Sequence, residues 1–273
     1  MDKVLTVENL TLAVGSGDEE KTLLTDVSFS LEKGRCLGIL GESGSGKSLT
    51  AKSIMGILDR GFRVEGRILA DGVNLLEKSE EEMRRMRGKE IGMIMQNPMT
   101  SFDPLYTIGN QMYETFEAHG VFSRGEYEQR AISVLEFMRI RNCEDVLRKY
   151  PHQLSGGMLQ RVMIGIAMAM KPKVLIADEP TTAIDSITQY EIVNEFNRIK
   201  ESGETALIFI THDIGVISQM ADDIMVLNKG RVADFGSAHT VIREPKDAYT
   251  KLLIEKKEAV YGRYHAVLKG VGV

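Results

Sequence analysis

Hydrophobic and polar residues alternate along the first 40 residues of the chain. A period of two residues is typical of β-strands that bury one face. We therefore predict three strands in this region, with a polar turn around Gly15 and Gly17 between the first two. The predicted strands are VLTVENLTLAV (4–14), LLTDVSFSL (23–31) and CLGILG (36–41).

A helix-like segment and then further strand-like segments follow these three strands. Residues 47–58 are predicted to form a helix directly after the third strand. Gly66 and Gly72 indicate the turn residues of a hairpin, because glycine is common where the chain reverses. The run IGMIMQ at 91–96 then predicts another strand, with Gln96 at its end.

The middle of the chain is predicted to be helical from about residue 107 to residue 170. In YEQRAISVLEFMRI (127–140), apolar residues recur at intervals of three and four, which is the spacing of one face of an α-helix. These residues are Ala131, Val134, Leu135 and Met138. We interpret residues 107–170 as a helical subdomain inserted into a larger α/β core.

Strand-like and helix-like segments alternate after the helical region. This alternation predicts an α/β fold whose sheet is mainly parallel and covered by helices. The segments are KVLIADE (173–179), ITQYEIVNEFNRIK (187–200), ALIFITHD (206–213), IGVISQMA (214–221) and, as a hairpin, DIMVLNKGRVADFG (223–236).

Composition excludes several classes of protein. The 273 residues are 43% hydrophobic and 27% charged, with a net charge of −5 that gives no indication of nucleic-acid binding. Cys36 and Cys143 have no CxxC spacing, which is typical of reduced thiols. The N-terminus does not resemble a signal peptide, and no apolar run approaches the ~20 residues of a membrane helix. We expect a soluble protein that serves a membrane only through a partner.

A glycine-rich segment, GESGSGKS, lies between a predicted buried strand and a predicted helix. It fits the pattern GxxxxGKS, whose backbone N–H groups surround phosphates and whose helix N-terminus adds partial positive charge. Lys47 is expected to contact the β- and γ-phosphates, and Ser48 to bind Mg²⁺. The predicted nucleotide-binding residues of this loop are Gly41, Glu42, Ser43, Gly44, Ser45, Gly46, Lys47, Ser48 and Leu49.

Four polar side chains lie at the carboxyl ends of other predicted strands, where α/β sheets place their ligands. Asp178 is expected to bind Mg²⁺ together with Ser48, and Glu179 to polarise the water that attacks the γ-phosphorus. Gln96 is predicted to contact Mg²⁺ or that water, and His212 to donate a hydrogen bond to the γ-phosphate. A Gln at a strand end is more often polar surface, and a lone His is more often structural, so these two assignments depend on their context.

A second glycine-containing loop, LSGGMLQR (154–161), leads into a helical stretch. It offers hydrogen-bond donors at a helix N-terminus, as the first loop does. One nucleotide needs only one such loop, so the purpose of the second loop requires a separate explanation.

Six motifs together resemble those of ATP-binding-cassette (ABC) ATPases. In chain order they are GESGSGKS, Gln96, LSGGMLQR, VLIADEP, the AID of 183–185 and His212, which resemble the Walker A loop, Q-loop, signature, Walker B, D-loop and H-loop of that family. The resemblance implies a P-loop NTPase fold with an N-terminal antiparallel β-subdomain. It also implies that two subunits pack head to tail, so that Ser155, Gly156 and Gly157 of one subunit cap the γ-phosphate of ATP bound to the other.

The chain most resembles the ATPase subunits of oligopeptide, dipeptide and nickel importers. The phrases that carry this resemblance are NPMTSFDPLYTIG (97–109), YPHQLSGGM (150–158) and YTKLL (249–253). The phrase ADEPTTAIDSITQY and a short C-terminus favour nickel or metal–metallophore import over peptide import, which stays the alternative. We expect an ATPase domain over 1–253 and a C-terminal tail over 254–273.

This resemblance implies a set of partners and a location. The partners are a second ATPase subunit (a copy or a paralogue), two transmembrane permease subunits that dock on the helical subdomain and on 97–109, and, indirectly, an extracytoplasmic substrate-binding protein. The expected location is the cytoplasmic face of the membrane, with no nucleic acid bound. ABC ATPases of DNA repair are a less favoured class, because residues 48–155 contain no sustained heptads.

The chain departs from its relatives at two places. Many relatives stack adenine on an aromatic residue near the end of the first strand, where this chain has Val14. Several peptide-importer relatives carry a C-terminal cysteine cluster for an iron–sulfur centre, and this chain has no cysteine after Cys143. We therefore expect weaker stacking on adenine and no such cluster.

Overall fold

The computed structural model describes residues 2–15, 17–120, 125–182 and 184–256. Ala183 of the predicted D-loop and residues 257–273 of the predicted tail lie outside the described residues. Residues 248–256 are helical, so the predicted boundary between residues 253 and 254 falls within a helix. Among the helices of the described residues, none is long and apolar enough to cross a membrane.

The N-terminal part of the chain forms a four-stranded antiparallel sheet, as predicted. Val7 of the first strand pairs with Phe29 on one side and with Ile68 on the other, so the first strand is central. The strand order is β2-β1-β4-β5. The strands are β1 (Lys3–Val14), β2 (Lys21–Glu32), β4 (Phe62–Ala70) and β5 (Val73–Asn74).

The predicted hairpin is correct at Gly72 but wrong at Gly66. Gly72 has a φ of 81° and lies in the turn between β4 and β5. Gly66 lies inside β4 with a φ of 104°, where a Cβ atom would stand 2.5 Å from the carbonyl oxygen of Glu8. The β1–β4 register shifts beside it, so Gly66 belongs to a bulge. Some turns and some bulges place a glycine at positive φ, so the sequence pattern does not separate the two here.

The second sheet has six strands in the order β10-β9-β3-β8-β7-β6. Its neighbouring strands are parallel except for the edge strand β10, which pairs antiparallel with β9 as predicted for the 223–236 hairpin. The strands are β3 (Cys36–Leu40), β6 (Ile91–Ile94), β7 (Val174–Asp178), β8 (Ala206–Thr211), β9 (Asp223–Asn228) and β10 (Arg231–Ser237). Since β6 ends at Ile94, Gln96 lies two residues beyond the strand and does not end it.

Helices cover this sheet and form the predicted helical subdomain. The sequence pattern missed α2 (Glu80–Met86), α3 (Pro98–Ser101), α10 (Ala238–Arg243) and the helix at 248–256, and it placed the end of α1 (Lys47–Met55) three residues too late. Helix α1 ends where Gly56 adopts a φ of 62°. The helices are α1 (Lys47–Met55), α2 (Glu80–Met86), α3 (Pro98–Ser101), α4 (Ile108–Ala118), α5 (Tyr127–Phe137), α6 (Cys143–Arg148), α7 (Gly156–Ala169), α8 (Ser186–Glu201), α9 (Ile214–Ile217) and α10 (Ala238–Arg243).

Both faces of the parallel sheet are buried, and each face belongs to a different hydrophobic cluster. In β7, Val174 and Ile176 pack with the antiparallel sheet and α1, whereas Leu175 and Ala177 pack with the helical subdomain. Burial on both faces explains why these strands are continuous apolar runs. The carboxyl ends of β3, β7 and β8 therefore meet at one edge of a rigid sheet.

Candidate functional site

The segment from Gly41 to Ser48 runs from the end of β3 into the first turn of α1, between a strand and a helix as the sequence predicts. Gly46 has a φ of 111°, and a Cβ atom there would stand 2.4 Å from Leu24 Cδ2. The first backbone N–H groups of α1 have no acceptor within the helix, so they are available to an anion. Ser45 Oγ is buried and has no hydrogen-bond partner among the described residues. These features fit a loop that surrounds phosphate oxygens.

Lys47 is the first residue of α1 and its side chain turns back over the loop. Its side chain is only 5% exposed, and Nζ donates hydrogen bonds to the carbonyl oxygens of Gly41 (2.8 Å) and Glu42 (3.1 Å). Glu179 Oε1 lies 3.6 Å from the same nitrogen. The loop thus contains a desolvated positive charge that is held at a defined position.

Ser48 and Asp178 bring the loop and the end of β7 together. Ser48 Oγ donates a hydrogen bond to Asp178 Oδ1 at 3.1 Å. Burial raises the pKa of Asp178, an effect that the hydrogen bond from Ser48 and the charge of Lys47 oppose. A hydroxyl beside a buried carboxylate is a pair of hard oxygen ligands, which suits Mg²⁺.

Glu179 lies directly after β7 and is the centre of the polar cluster. Its backbone adopts the left-handed conformation, with a φ of 46°, while its N–H still donates to Ile210 of β8 at 2.9 Å. Its Oε2 accepts a hydrogen bond from Thr182 Oγ1 at 2.7 Å. Burial raises the pKa of Glu179, but the bond from Thr182 and the charges of His212 and Lys47 together lower it below its ordinary value. Glu179 is therefore a carboxylate at neutral pH.

Gln96 and His212 reach the same carboxylate from two different strands. Gln96 Nε2 donates to Glu179 Oε2 at 3.3 Å, and His212 Nδ1 lies 3.3 Å from the same oxygen. Both side chains are exposed, so a ligand can reach them. The structure thus brings together six of the predicted site residues, namely Lys47, Ser48, Gln96, Asp178, Glu179 and His212.

Comparison with known proteins identifies the family to which the chain belongs. The family model described as ABC transporter matches residues 24–182, which is more than half of the chain. The chain belongs to the ABC transporter family. It is 42% identical over 267 residues to the metal-staphylopine import system ATP-binding protein CntD of Staphylococcus aureus, with 98% of both chains covered. It is 39% identical over 249 residues to the oligopeptide transport ATP-binding protein OppD of Escherichia coli, with 91% of this chain and 74% of the relative covered.

Solved structures of ABC ATPases have the same fold. The dimeric post-hydrolysis structure of the ATP-binding cassette MJ0796, bound to ADP and Pi, matches with a TM-score of 0.75 at 28% identity and covers 86% of this chain and 98% of that chain. CbiO1 of Clostridium perfringens, part of an ABC transporter complex, matches with a TM-score of 0.73 at 27% identity and covers 98% and 100%. The predicted ABC ATPase fold is confirmed. The chain is an ATP-binding and ATP-hydrolysing subunit of an ABC importer.

The ABC signature loop stands apart from this cluster. Ser155 is the N-cap of α7 and its Oγ accepts a hydrogen bond from the Met158 N–H at 3.2 Å. Ser155 and Gly156 are exposed, and Gly157 is half-buried. Among the described residues, no hydrogen bond or ion pair joins these three to the residues around Glu179. The chain therefore has two glycine-containing loops that each lead into the N-terminus of a helix, α1 and α7.

Thr182 is a site residue that the sequence analysis missed. Its hydroxyl makes the shortest contact to the Glu179 carboxylate, and its N–H donates to the Glu179 carbonyl oxygen at 3.1 Å. The hydrogen bond between the two side chains is local in sequence, because Thr182 follows Glu179 by three residues. The sequence signal was the pair of threonines after ADEP, but threonine after proline is equally typical of an ordinary turn.

The position predicted to face adenine contains no aromatic side chain, as expected, but an aromatic residue lies next to it. Val14 at the end of β1 pairs directly with Phe62 at the start of β4. Opposite residues of an antiparallel pair project from the same face of the sheet. Both side chains are half-buried, so Phe62 places an aromatic ring beside Val14.

Proposed function

We propose that this chain hydrolyses Mg²⁺-bound ATP to drive import of a metal ion, either as nickel or as a metal–metallophore complex. The single observation that supports hydrolysis best is the convergence of Lys47, Ser48, Asp178 and Glu179 within hydrogen-bonding or ion-pairing distance. The similarity to CntD along 98% of both chains supports metal cargo. Peptide import is the alternative, because OppD of Escherichia coli is only slightly less similar.

The residues at the end of β7 fit the magnesium ion that ABC ATPases use. Ser48 Oγ and Asp178 Oδ1 would hold it, together with the amide oxygen of Gln96. These are hard oxygen ligands, and Mg²⁺ prefers such ligands with water and phosphate oxygens in its remaining positions. When bound, the ion would neutralise charge on the β- and γ-phosphates.

The positions of the other side chains define their proposed roles in hydrolysis. Residues 41–49 bind the phosphates, and Lys47 neutralises charge that builds on the oxygen between the β- and γ-phosphorus atoms. Glu179 accepts a proton from water as the water oxygen bonds to the γ-phosphorus and the bond to the β-phosphate oxygen breaks. Gln96 and His212 orient that water and the γ-phosphate, and Thr182 holds the Glu179 carboxylate in place.

A second ATPase subunit would complete the site. Ser155, Gly156 and Gly157 lie at the N-terminus of α7, and no hydrogen bond within the described part of the chain joins them to the residues around Glu179. Packed head to tail, they would cap the γ-phosphate held by the Walker loop of the partner, whether the partner is a copy or a paralogue. This arrangement would explain why one chain has two anion-binding loops: ATP then joins the two subunits, and hydrolysis loosens them.

A permease is proposed to dock beside the helical subdomain. A groove of about 380 Å³ lies between that subdomain and the sheet, lined by Met93, Met95, Phe102 and Met163 among others. Methionine side chains adapt to varied apolar partners. Gln111, which also lines the groove, fixes the neighbouring loop through bonds to both Asp103 and Tyr106, and Leu105 in that loop is 78% exposed.

This docking surface leads to the proposed assembly. Each of the two permease subunits would place one short helix in the groove of a different ATPase subunit. The substrate-binding protein would contact only the permease. The ATPase would then lie at the cytoplasmic face of the membrane. Within the chain, we propose 1–253 as the ATPase domain, with about 107–170 as the inserted helical subdomain and 254–273 as a tail.

The cargo is tested on the native membrane complex purified with its substrate-binding protein. ATP hydrolysis is measured with nickel, with a metal–metallophore complex and with oligopeptides. We expect stimulation by one of the metal substrates and none by peptides. Stimulation by peptides alone would overturn the metal assignment and favour the alternative, whereas a complex with no ATP hydrolysis would contradict the enzymatic role.

A further inference from the structure

The C-terminal helix at residues 248–256 lies against the phosphate loop, although about 200 residues separate them in sequence. Tyr249 and Leu253 pack on the hydrophobic cluster that contains Leu40, the last residue of β3 before the loop. Lys256 Nζ lies 3.6 Å from Glu42 Oε1 at the surface. The end of the described chain is thus part of the surroundings of the nucleotide site.

One hydrogen bond joins this helix to the loop backbone. The N–H of Glu42 donates to the hydroxyl oxygen of Tyr249 at 3.1 Å. This N–H belongs to the Gly41–Glu42 peptide, and the carbonyl oxygen of the same peptide accepts the bond from Lys47 Nζ at 2.8 Å. Because a peptide unit is planar, an orientation fixed at its N–H is also fixed at its C=O. Tyr249 and Lys47 therefore hold opposite edges of one peptide plane.

The position of Tyr249 is determined by two carboxylates. Asp234 is buried, and its Oδ2 accepts hydrogen bonds from the N–H groups of Lys246 (2.8 Å) and Asp247 (3.3 Å). Asp247 Oδ1 in turn accepts the N–H of Tyr249 at 2.8 Å. The helix therefore begins at a defined place, which the carboxylate side chains of Asp234 in β10 and of Asp247 fix through backbone N–H groups.

We propose that Tyr249 is a positioning residue for nucleotide binding, which acts through the Gly41–Glu42 peptide on Lys47. The hydroxyl keeps this peptide in the orientation that the phosphate loop needs and so keeps the Lys47 ammonium beside the phosphate position. Without the hydroxyl, the Glu42 N–H loses its partner, and of the two bonds described here only the one from Lys47 to the carbonyl oxygen still holds this peptide. The proposal rests on the proposed role of Lys47 as the phosphate-binding lysine.

The variant Tyr249→Phe tests this directly, because it removes the hydroxyl and keeps the ring that packs on the hydrophobic cluster containing Leu40. Loss of one ordinary hydrogen bond corresponds to about a three- to ten-fold weaker binding of Mg²⁺-ATP. A matched control is Tyr113→Phe, which removes a tyrosine hydroxyl that donates to Glu117 Oε1 at 2.6 Å in the helical subdomain. The control should bind ATP as tightly as the wild type does.

A double-mutant cycle on the full-length chain separates positioning from packing. Dissociation constants for Mg²⁺-ATP are measured for the wild type, Tyr249→Phe, Lys47→Ala and the double variant, with thermal midpoints of each without nucleotide. If Tyr249 acts through Lys47, the Tyr249→Phe change does not weaken ATP binding further when Lys47 is already alanine. A merely structural role would lower the thermal midpoint and give the same fold-loss in both backgrounds.

The outcomes distinguish this proposal from the proposed function. Wild-type affinity in Tyr249→Phe, or an equal loss in both backgrounds, would overturn the positioning role and leave the role of Lys47 intact. Wild-type affinity in Lys47→Ala would instead overturn the role of the lysine itself. Weaker binding by Tyr249→Phe that disappears when Lys47 is absent is the result that supports the proposal.

Discussion

Replacement of Glu179 by glutamine should nearly abolish hydrolysis while ATP binding persists. Glutamine has the size of glutamate, and its amide oxygen can still accept the 2.7 Å bond from Thr182. It cannot accept a proton from water. The change therefore removes the general base without displacing the groups around it.

The magnitude follows from what a positioned base contributes. General-base catalysis typically accelerates a reaction by about 10²- to 10⁴-fold, equivalent to about 3–5 kcal/mol of activation free energy. Loss of the negative charge 3.6 Å from Lys47 Nζ also removes repulsion between Glu179 and the γ-phosphate. We expect kcat to fall by at least a hundredfold, with ATP affinity unchanged or higher.

The assay compares steady-state phosphate release with equilibrium binding of ATP. The control is Glu65→Gln, which removes an exposed carboxylate 3.5 Å from an arginine on the antiparallel sheet and should leave both quantities unchanged. The Glu179 variant should also dimerise with ATP more persistently than the wild type, alone or with its paralogue. Turnover within threefold of the wild type would refute the assignment of Glu179.

Three further predictions concern other parts of the chain. Lys47→Ala should weaken ATP binding itself, because a buried positive charge is lost beside the phosphates; unchanged affinity in a titration would contradict this role. If no aromatic residue stacks on adenine, the wild type should discriminate weakly between ATP and GTP, and Val14→Tyr should gain about 1 kcal/mol of affinity. A strong preference of the wild type for ATP, with no gain of affinity in Val14→Tyr, would show that another group binds adenine. Loss of that preference in Phe62→Ala would identify Phe62 as this group. Burial raises the pKa of the Cys36 thiol to about 12 and also raises that of Cys143, so neither should react with a thiol reagent at pH 8 until the chain unfolds; rapid labelling of the native chain would contradict their burial.

Residues with a local signature could be predicted from the sequence. The loop 41–48 and the pair Asp178–Glu179 follow apolar strands, and the buried parallel sheet places both at one edge. The sequence pattern places Gly66 in a turn, because a glycine at positive φ suits a turn as well as the bulge in which Gly66 lies. Gln96 was placed at a strand end because Met95 extends the apolar run beyond the last paired residue, Ile94.

Contacts between distant parts of the chain could not be predicted in this way. The bond between Tyr249 and the Glu42 N–H joins residues 207 positions apart, and no local pattern of YTKLL distinguishes a tyrosine that packs from one that also accepts a bond. The neighbouring position of Phe62 and Val14 depends on the register of β1 and β4, which the bulge at Gly66 shifts. Such contacts require the tertiary structure.

The central claim is that ATP is hydrolysed at a site shared between two subunits, and Ser155→Arg tests it most directly. The arginine would block the γ-phosphate held by the partner subunit, far from the Walker loop of its own chain. Because Ser155 also caps α7, Ser79→Arg is the matched control: it removes the serine N-cap of α2 instead. The measurement compares ATP hydrolysis by the assembled complex with ATP affinity of the purified chain. We predict that Ser155→Arg loses hydrolysis but binds ATP within twofold of the wild type. Ser79→Arg should keep both hydrolysis and ATP affinity. Normal turnover in Ser155→Arg would contradict the shared site.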